Sequence, residues 1–138
     1  MTRREAREQA FCLLFQGTVS GDPVDDILRA AHEARDLVPD PFTEGLCYGV
    51  EEHMGDIDSM IEGSLKGWNI RRVSKVALTL LRLSVYEMAY EKDIPISVSI
   101  NEAVELSKTY GGEGDPAYIN GVLGSVAKKH CHGPEEGT

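Results

Sequence analysis

The stretch from Ile94 to Val126, IPISVSINEAVELSKTYGGEGDPAYINGVLGSV, holds two helix-length apolar patterns joined by a short glycine-rich turn. Ser99 and Glu102 have the S-x-x-E spacing of a capping box, which predicts a helix start at Ser99. Gly111 is placed to end that helix in the left-handed conformation. Asp115-Pro116 is typical of a cap followed by the first helical residue. The stretch therefore predicts an antiparallel helical hairpin.

The rest of the chain also shows apolar residues at helical spacing, and no segment alternates convincingly with the period of two that is typical of strands. Thr2 and Glu5 form another capping-box pair, and the pattern breaks from Gly17 to Gly21. The segment VALTLLRLSVYEMAY (76–90) is apolar nearly all round, which predicts a central buried helix whose Arg82 reaches a carboxylate or a helix end. The predicted helices before the hairpin are residues 2–16, 22–37, 42–53, 56–65 and 70–90.

These patterns predict an all-α protein of about seven helices, in two small bundles packed against each other. A chain of 138 residues is one domain on length alone. We place its subdomains at roughly 1–66 and 67–130, followed by a tail at 131–138. No apolar run approaches the roughly 20 residues that cross a bilayer. The charged N-terminus lacks the apolar core of a signal peptide, so we expect a cytoplasmic protein.

The sequence offers no catalytic motif, since it contains no GxGxxG, P-loop, HExxH or GxSxG. We therefore expect neither an enzyme nor a cofactor. Cys12, Cys47 and Cys131 are odd in number and form no CxxC pair, which is typical of reduced thiols in the cytosol. The run His130-Cys131-His132 is a weak candidate for a metal, and a frayed tail is the expected alternative.

The formal net charge of −9 argues against nucleic-acid binding by the whole surface. Arg3, Arg4 and Arg7 nevertheless crowd the first predicted turns, and Arg3 and Arg7 share a helix face because they are four residues apart. Cations at a helix N-terminus oppose the macrodipole. The cluster is weak evidence for an anionic ligand, and a solvated helix end is the alternative interpretation.

Five motifs occur in one order along nearly the whole chain. INEAVEL followed about 18 residues later by YINGVL is the most specific part of the pattern. The motifs are RREARE (3–8), LKGW (65–68), LRLSVYE (81–87), INEAVEL (100–106) and YINGVL (118–123). On these motifs the chain resembles the NusB family of bacterial transcription antitermination factors.

The resemblance implies a fold of two perpendicular three-helix subdomains. It also implies binding of the boxA element of nascent RNA together with NusE, the small-subunit ribosomal protein. That complex loads onto RNA polymerase and suppresses termination, notably in ribosomal RNA operons. By position, Arg3, Arg4 and Arg7 match the RNA-contacting arginines of the family. Phe15 stands where relatives often have a tyrosine at the RNA surface, and Tyr118 matches an aromatic residue near the RNA–NusE junction.

The same resemblance implies a surface facing NusE, with Glu113, Asp115 and Tyr118 as candidate contacts. Many relatives have an acid–base pair where this chain has Ala77-Leu78, and an aspartate where it has Gly114. These departures remove charges from the surface facing NusE, and Glu113 and Asp115 are placed to substitute for them.

The predicted RNA surface requires the α-helical arginine cluster and Tyr118 to lie close together as a cradle for a transcript. The alternative for Tyr118 is that its ring seals the last helix against the hairpin. Two other functions stay open. One is an accessory domain of an RNA-modifying enzyme, which the chain end at Thr138 argues against. The other is a self-associating protein with a masked RNA surface, so both a monomer and a homodimer are expected possibilities.

Overall fold

The computed structural model describes residues 1–35, 40–67 and 69–131, and these residues form seven α-helices and no strand. The predicted all-α class is confirmed. The helices are α1 (Arg3–Ser20), α2 (Val24–Arg35), α3 (Pro41–Glu52), α4 (Met54–Glu62), α5 (Lys75–Tyr90), α6 (Ile96–Tyr110) and α7 (Asp115–His130). A 3₁₀ turn, Ile70–Arg72, precedes α5. The end predicted for the second helix, at residues 36 and 37, and the predicted tail from 132 to 138 lie outside the described residues.

Helix α1 begins as predicted and runs longer than predicted. Thr2 Oγ1 accepts a hydrogen bond from the Glu5 backbone N–H at 3.1 Å, and the Glu5 carboxylate accepts one from the Thr2 N–H at 2.8 Å, which completes the capping box. The break predicted at Gly17 is wrong, because the helix continues and ends at Gly21, with a left-handed φ of 80°. A Cβ on Gly17 would lie 3.4 Å from the Asp22 carbonyl oxygen, which is an ordinary contact, so the turn after α1 does not depend on this glycine.

Helix α5 is the centre of the core, as its apolar sequence predicts. It packs against α1, α3 and α4 and also against α6 and α7. Leu80, Leu81 and Val85 of this helix have no exposed surface. Buried residues from all seven helices join in one core cluster, and the division into subdomains after residue 66 stays a prediction. No helix in the described part of the chain is long and apolar enough to cross a membrane.

Helices α6 and α7 pack against each other, but the caps of α6 differ from those predicted. The helix begins at Ile96 after Pro95, so Ser99 lies inside it and is not its cap. The Ser99 hydroxyl instead donates to Glu87 Oε1 at 3.1 Å, because a buried carboxylate needs donors from its surroundings. Gly111 ends α6 with extended backbone, at φ −100° and ψ −174°, rather than in the left-handed conformation.

The start of α7 also differs from the prediction by one residue. Gly114 holds the cap position, and Asp115 is the first helical residue. The Asp115 carboxylate accepts from the Gly112 backbone N–H at 2.9 Å, so it holds the preceding turn instead of capping the helix. Pro116 still lies in the first turn, where its missing N–H leaves no helical hydrogen bond unmade.

Candidate nucleic-acid interface

Two exposed arginines lie in the first turn of α1, where the capping box fixes the backbone. The guanidinium carbon of Arg3 lies 3.9 Å from the ring centroid of Phe42, at the start of α3. This cation–π contact places the guanidinium over the ring, while Arg3 as a whole stays exposed. A guanidinium can pair with two oxygens of a phosphate at once, so Arg3 is placed to bind an anionic ligand.

Arg4 points towards α6 and remains accessible. Its Nε and Nη2 atoms donate to the two carboxylate oxygens of Glu102 at 3.2 and 2.8 Å. The hydrogen bonds that Arg4 donates to Glu102, together with the negative charge of that carboxylate, raise the pKa of Arg4. The Arg4 side chain is still 67% exposed. An anion can therefore reach Arg4, in competition with the Glu102 carboxylate.

Arg7 lies in the core, which disagrees with its predicted role in RNA contact. Its side chain is 7% exposed, and its Nε donates to both carboxylate oxygens of Glu87 at 3.0 and 2.9 Å. Burial raises the pKa of Glu87, while the hydrogen bonds from Arg7 and Ser99 act in the opposite direction. Because the Arg7 guanidinium is committed to a buried carboxylate, we leave it out of the candidate surface.

Phe15 lies more than two turns further along α1. Its ring is half-buried against the core and stacks on the Phe11 ring, with 5.9 Å between the centroids. Half-burial fixes the orientation of the Phe15 ring and leaves part of it accessible for stacking. The position is compatible with the predicted aromatic contact, although it is separated along the helix from the exposed arginines.

Tyr118 is 36% exposed near the start of α7, so its ring is not sealed inside the hairpin. Partial burial, with a smaller effect of the Asp115 charge, raises its pKa. Tyr118 lies in a groove between α7 and residues 64–66, which extends as far as Lys129. Arg3 lines a separate pocket beside α3. None of the described residues that line the Tyr118 groove belongs to α1, so the two predicted halves of the cradle do not share one groove.

The two acids predicted to face NusE flank Gly114 in the turn between α6 and α7. Glu113 is exposed, and Asp115 is half-buried. The Asp115 carboxylate is engaged by the Gly112 N–H, as described above. Glu113 therefore presents the more accessible carboxylate of the two.

The His130-Cys131-His132 run reaches the edge of the described structure. Cys131 is buried at the end of α7, and His132 lies outside the described residues. Among residues 1–35, 40–67 and 69–131, no group of His, Cys, Asp and Glu side chains is arranged to hold a metal ion.

The sequence matches the NusB family over residues 4–128. A transcription antitermination protein NusB from Bacillus pumilus is 46% identical over 127 aligned residues, which cover 91% of this chain and 95% of that protein. The chain belongs to the NusB family. Membership accounts for the order of the five motifs and for the all-helical architecture.

Solved structures that include NusB have chains with the same fold. T. maritima NusB has a TM-score of 0.84 and 34% identity, with 96% of this chain and 94% of that chain covered. A chain in the crystal structure of antitermination factors NusB and NusE in complex with dsRNA has a TM-score of 0.83 and 27% identity. There the match covers 93% of this chain and 97% of that one.

Within this NusB fold, the sequence alone did not identify the two residues that surround Arg3. Phe42 contacts the Arg3 guanidinium, and Asp40 lines the same pocket. The sequence places a helix start after Pro41, close to where the structure has it. It contains no signal for the contact itself, because Arg3 and Phe42 meet only where α1 crosses the first turn of α3.

Proposed function

We propose that this NusB-family protein is a transcription antitermination factor that binds boxA-type single-stranded nascent RNA together with NusE. It regulates termination in ribosomal RNA operons as part of an antitermination complex on RNA polymerase. It acts in the cytoplasm as an RNA-binding regulator and not as an enzyme. The similarity to the NusB protein of Bacillus pumilus, and to a chain in the NusB–NusE–dsRNA complex, supports this assignment.

One observation carries the RNA-binding part of the proposal. Arg3 and Arg4 are adjacent and exposed on a capped first turn, in a protein whose net charge is −9. Each has a partner that orients it, Phe42 for Arg3 and Glu102 for Arg4, and neither partner removes it from solvent. The overall charge of this protein does not favour RNA. The two oriented guanidinium groups nevertheless form a local site for phosphate.

The proposed RNA contacts are Arg3 and Arg4 for phosphates, and Phe15 and Tyr118 for bases. Arginine–phosphate pairing combined with stacking of bases on aromatic rings is the usual way to bind single-stranded RNA. Because Tyr118 lies in a groove away from α1, the strand must run across the surface between the two places. Arg7 contributes by holding α1 against α5 and α6.

The proposed contact with NusE lies at the turn between α6 and α7, with Glu113, Asp115 and Tyr118. The two carboxylates flank Gly114, so they compensate for the aspartate that many relatives have there. Tyr118 lies in the first turn of the same helix, α7, and we assign it to both the RNA surface and the NusE surface.

Complex formation tests the function directly. The protein, NusE and a boxA RNA are mixed in pairs and all together, and size-exclusion chromatography with light scattering gives the mass of each complex. We expect a ternary complex that is more stable than either pair, and a protein mass that separates monomer from homodimer. The variant Arg3→Gln/Arg4→Gln should lose at least tenfold in RNA affinity, because two charge-assisted phosphate contacts disappear.

The control is Arg29→Gln, which removes one positive charge from an exposed arginine of α2 and is compared with the single variants Arg3→Gln and Arg4→Gln. It should leave RNA affinity nearly unchanged. Failure of the wild-type protein to form any complex with RNA, with or without NusE, would contradict the proposed function. If the α1 and α2 variants lost RNA affinity to the same extent, the RNA surface would lie elsewhere.

A further inference from the structure

An open pocket of about 470 Å³ lies between the first turns of α1 and α3. One wall is the guanidinium of Arg3, stacked on Phe42 at 3.9 Å. The Arg7 guanidinium lies 5.5 Å from the same ring, but it is committed to Glu87. The remaining lining residues are Met1, Thr2, Ala6, Asp40 and Pro41.

The Arg3–Phe42 stack gives this pocket a flat cationic wall. Phe42 is half-buried against the core, so the orientation of its ring is fixed. The ring therefore gives the Arg3 guanidinium a fixed surface to lie against. Arg3 is exposed, which leaves its outer face for a second planar group. Nucleobases in single-stranded RNA stack on guanidinium planes in this way.

Asp40 gives the pocket a negatively charged hydrogen-bond acceptor. Its Oδ1 accepts from the Phe42 backbone N–H at 2.8 Å and caps α3. A carboxylate has about four lone-pair sites, and Oδ2 is the acceptor that we assign to a ligand. The partner that suits it is a donor, and aspartate accepts from the N4 amino group of cytosine in nucleic-acid complexes.

We propose that this pocket binds one nucleobase of the RNA strand and selects a base that carries an exocyclic amino group. The base stacks on the outer face of Arg3, its amino group donates to Asp40, and the adjoining phosphate faces Arg4. Uracil has a carbonyl oxygen where cytosine has its N4 amino group, so the carboxylate opposes uracil. The inference rests on the proposed function and adds to it Phe42, Asp40 and a base preference.

Titrations with labelled oligocytidylate and oligouridylate of equal length, followed by fluorescence anisotropy, test the preference. The wild-type protein should bind oligocytidylate at least about tenfold more tightly, the lower end of the range expected for one charge-assisted hydrogen bond. Asp40→Asn keeps a good helix cap but offers an amide N–H where the carboxylate accepted. The preference should then disappear or reverse in favour of uracil.

Two further variants separate base reading from charge and from stacking. Glu44→Gln removes the same charge from the first turn of α3, outside the pocket, and should leave the ratio between the two RNAs unchanged. Phe42→Leu removes the ring beneath Arg3. It should lower the affinity for both RNAs about threefold and leave the ratio of the two affinities unchanged. Thermal unfolding of each variant shows whether the fold is intact, and Asp40→Asn tests the preference without any loss of core packing.

The outcomes distinguish this inference from the proposed function. Equal binding of the two RNAs by the wild-type protein, or an unchanged ratio in Asp40→Asn, would overturn the base-reading pocket. If the protein still assembled with NusE and boxA RNA in that case, the proposed function would stand without it. Absence of RNA binding under every condition would overturn both.

Discussion

Arg7 and Glu87 are charged residues that act as part of the core. Their side chains are 7% and 2% exposed, and the Arg7 Nε donates to both carboxylate oxygens. Ser99 adds a hydrogen bond to Glu87, and the Ser84 hydroxyl donates to the Ser99 carbonyl at 3.0 Å. The network joins α1, α5 and α6 at one place. Breaking such a pair is costly because the remaining charge stays buried.

Glu87→Gln should therefore lower the free energy of unfolding by about 3 kcal/mol, since it removes the buried carboxylate that Arg7 is bonded to and leaves only the Glu102 carboxylate, 3.9 Å away. Replacing both partners, in Arg7→Met/Glu87→Met, should recover most of that loss. Urea unfolding followed by circular dichroism measures both effects. Lys108→Gln, which breaks an exposed pair with Glu105, is the control and should change stability little. A double variant less stable than Glu87→Gln would contradict the assigned pairing.

Two paired arginines show what the sequence can and cannot predict at this scale. Arg82 stands alone in an apolar helix, so a partner is required, and the structure confirms one in Asp58, with both contacts at 2.8 Å. Arg7 belongs to a basic run and looks equivalent in sequence to its exposed neighbours. Its inward direction depends on Glu87, which lies 80 positions away and is brought close only by the packing of α1 on α5.

Helices α3 and α5 approach each other closely at Gly49. A Cβ at this position would overlap the Tyr86 ring. The ring has little freedom to move, because it stacks with Tyr90 and His53, with centroid separations of 5.5 and 6.2 Å. Glycine is needed at position 49 for the packing of two helices and not for its backbone conformation.

Gly49→Ala should lower the free energy of unfolding by about 1–3 kcal/mol, the usual cost of overpacking a core. Gly45 lies one turn earlier on the same helix, where a Cβ would meet open space. Gly45→Ala should therefore raise the free energy of unfolding by about 0.5–1 kcal/mol. Urea unfolding of the two variants gives the comparison. The reverse order of stabilities would show that α3 and α5 do not cross at Gly49.

The start of α1 was predictable because both of its capping bonds are local. Thr2 and Glu5 supply both bonds of a capping box within three residues, and the structure confirms it. Ser99 has the same spacing to Glu102, but Glu87 of another helix takes its hydroxyl. The candidate site divides in the same way. Its arginines can be recognised in the sequence. Phe42 and Asp40 belong to the site only because α1 packs across the first turn of α3.

The molecule as a whole carries an excess of acidic side chains. It has 23 acidic and 14 basic side chains, and two of the exposed cations are concentrated in the first turn of α1. The net charge of −9 repels an RNA strand, so binding depends on local groups of cations such as the two at that end of the molecule. Added salt weakens both the attraction at that end and the repulsion among the acidic groups of the folded chain.

Salt should therefore change stability and RNA affinity in opposite directions. Between about 50 and 500 mM NaCl, screening of the net charge of −9 raises the free energy of unfolding. Over the same range RNA affinity falls, and Arg3 and Arg4 together contribute about −1.4 to the slope of log K against log salt, at about 0.7 per contact with a single strand. Urea unfolding and RNA anisotropy in one salt series measure the two slopes.

The variant Arg3→Gln/Arg4→Gln separates the two effects, because it changes the site and leaves the acidic body almost as it was. Its stability should still rise with salt, while its slope for RNA affinity becomes shallower by about 1.4. If the slope for RNA stayed the same in this variant, the phosphates would be bound by other cations, and the first turn of α1 would not be the RNA surface. If both slopes changed together, the two arginines would be acting through the stability of the fold and not through contact with RNA.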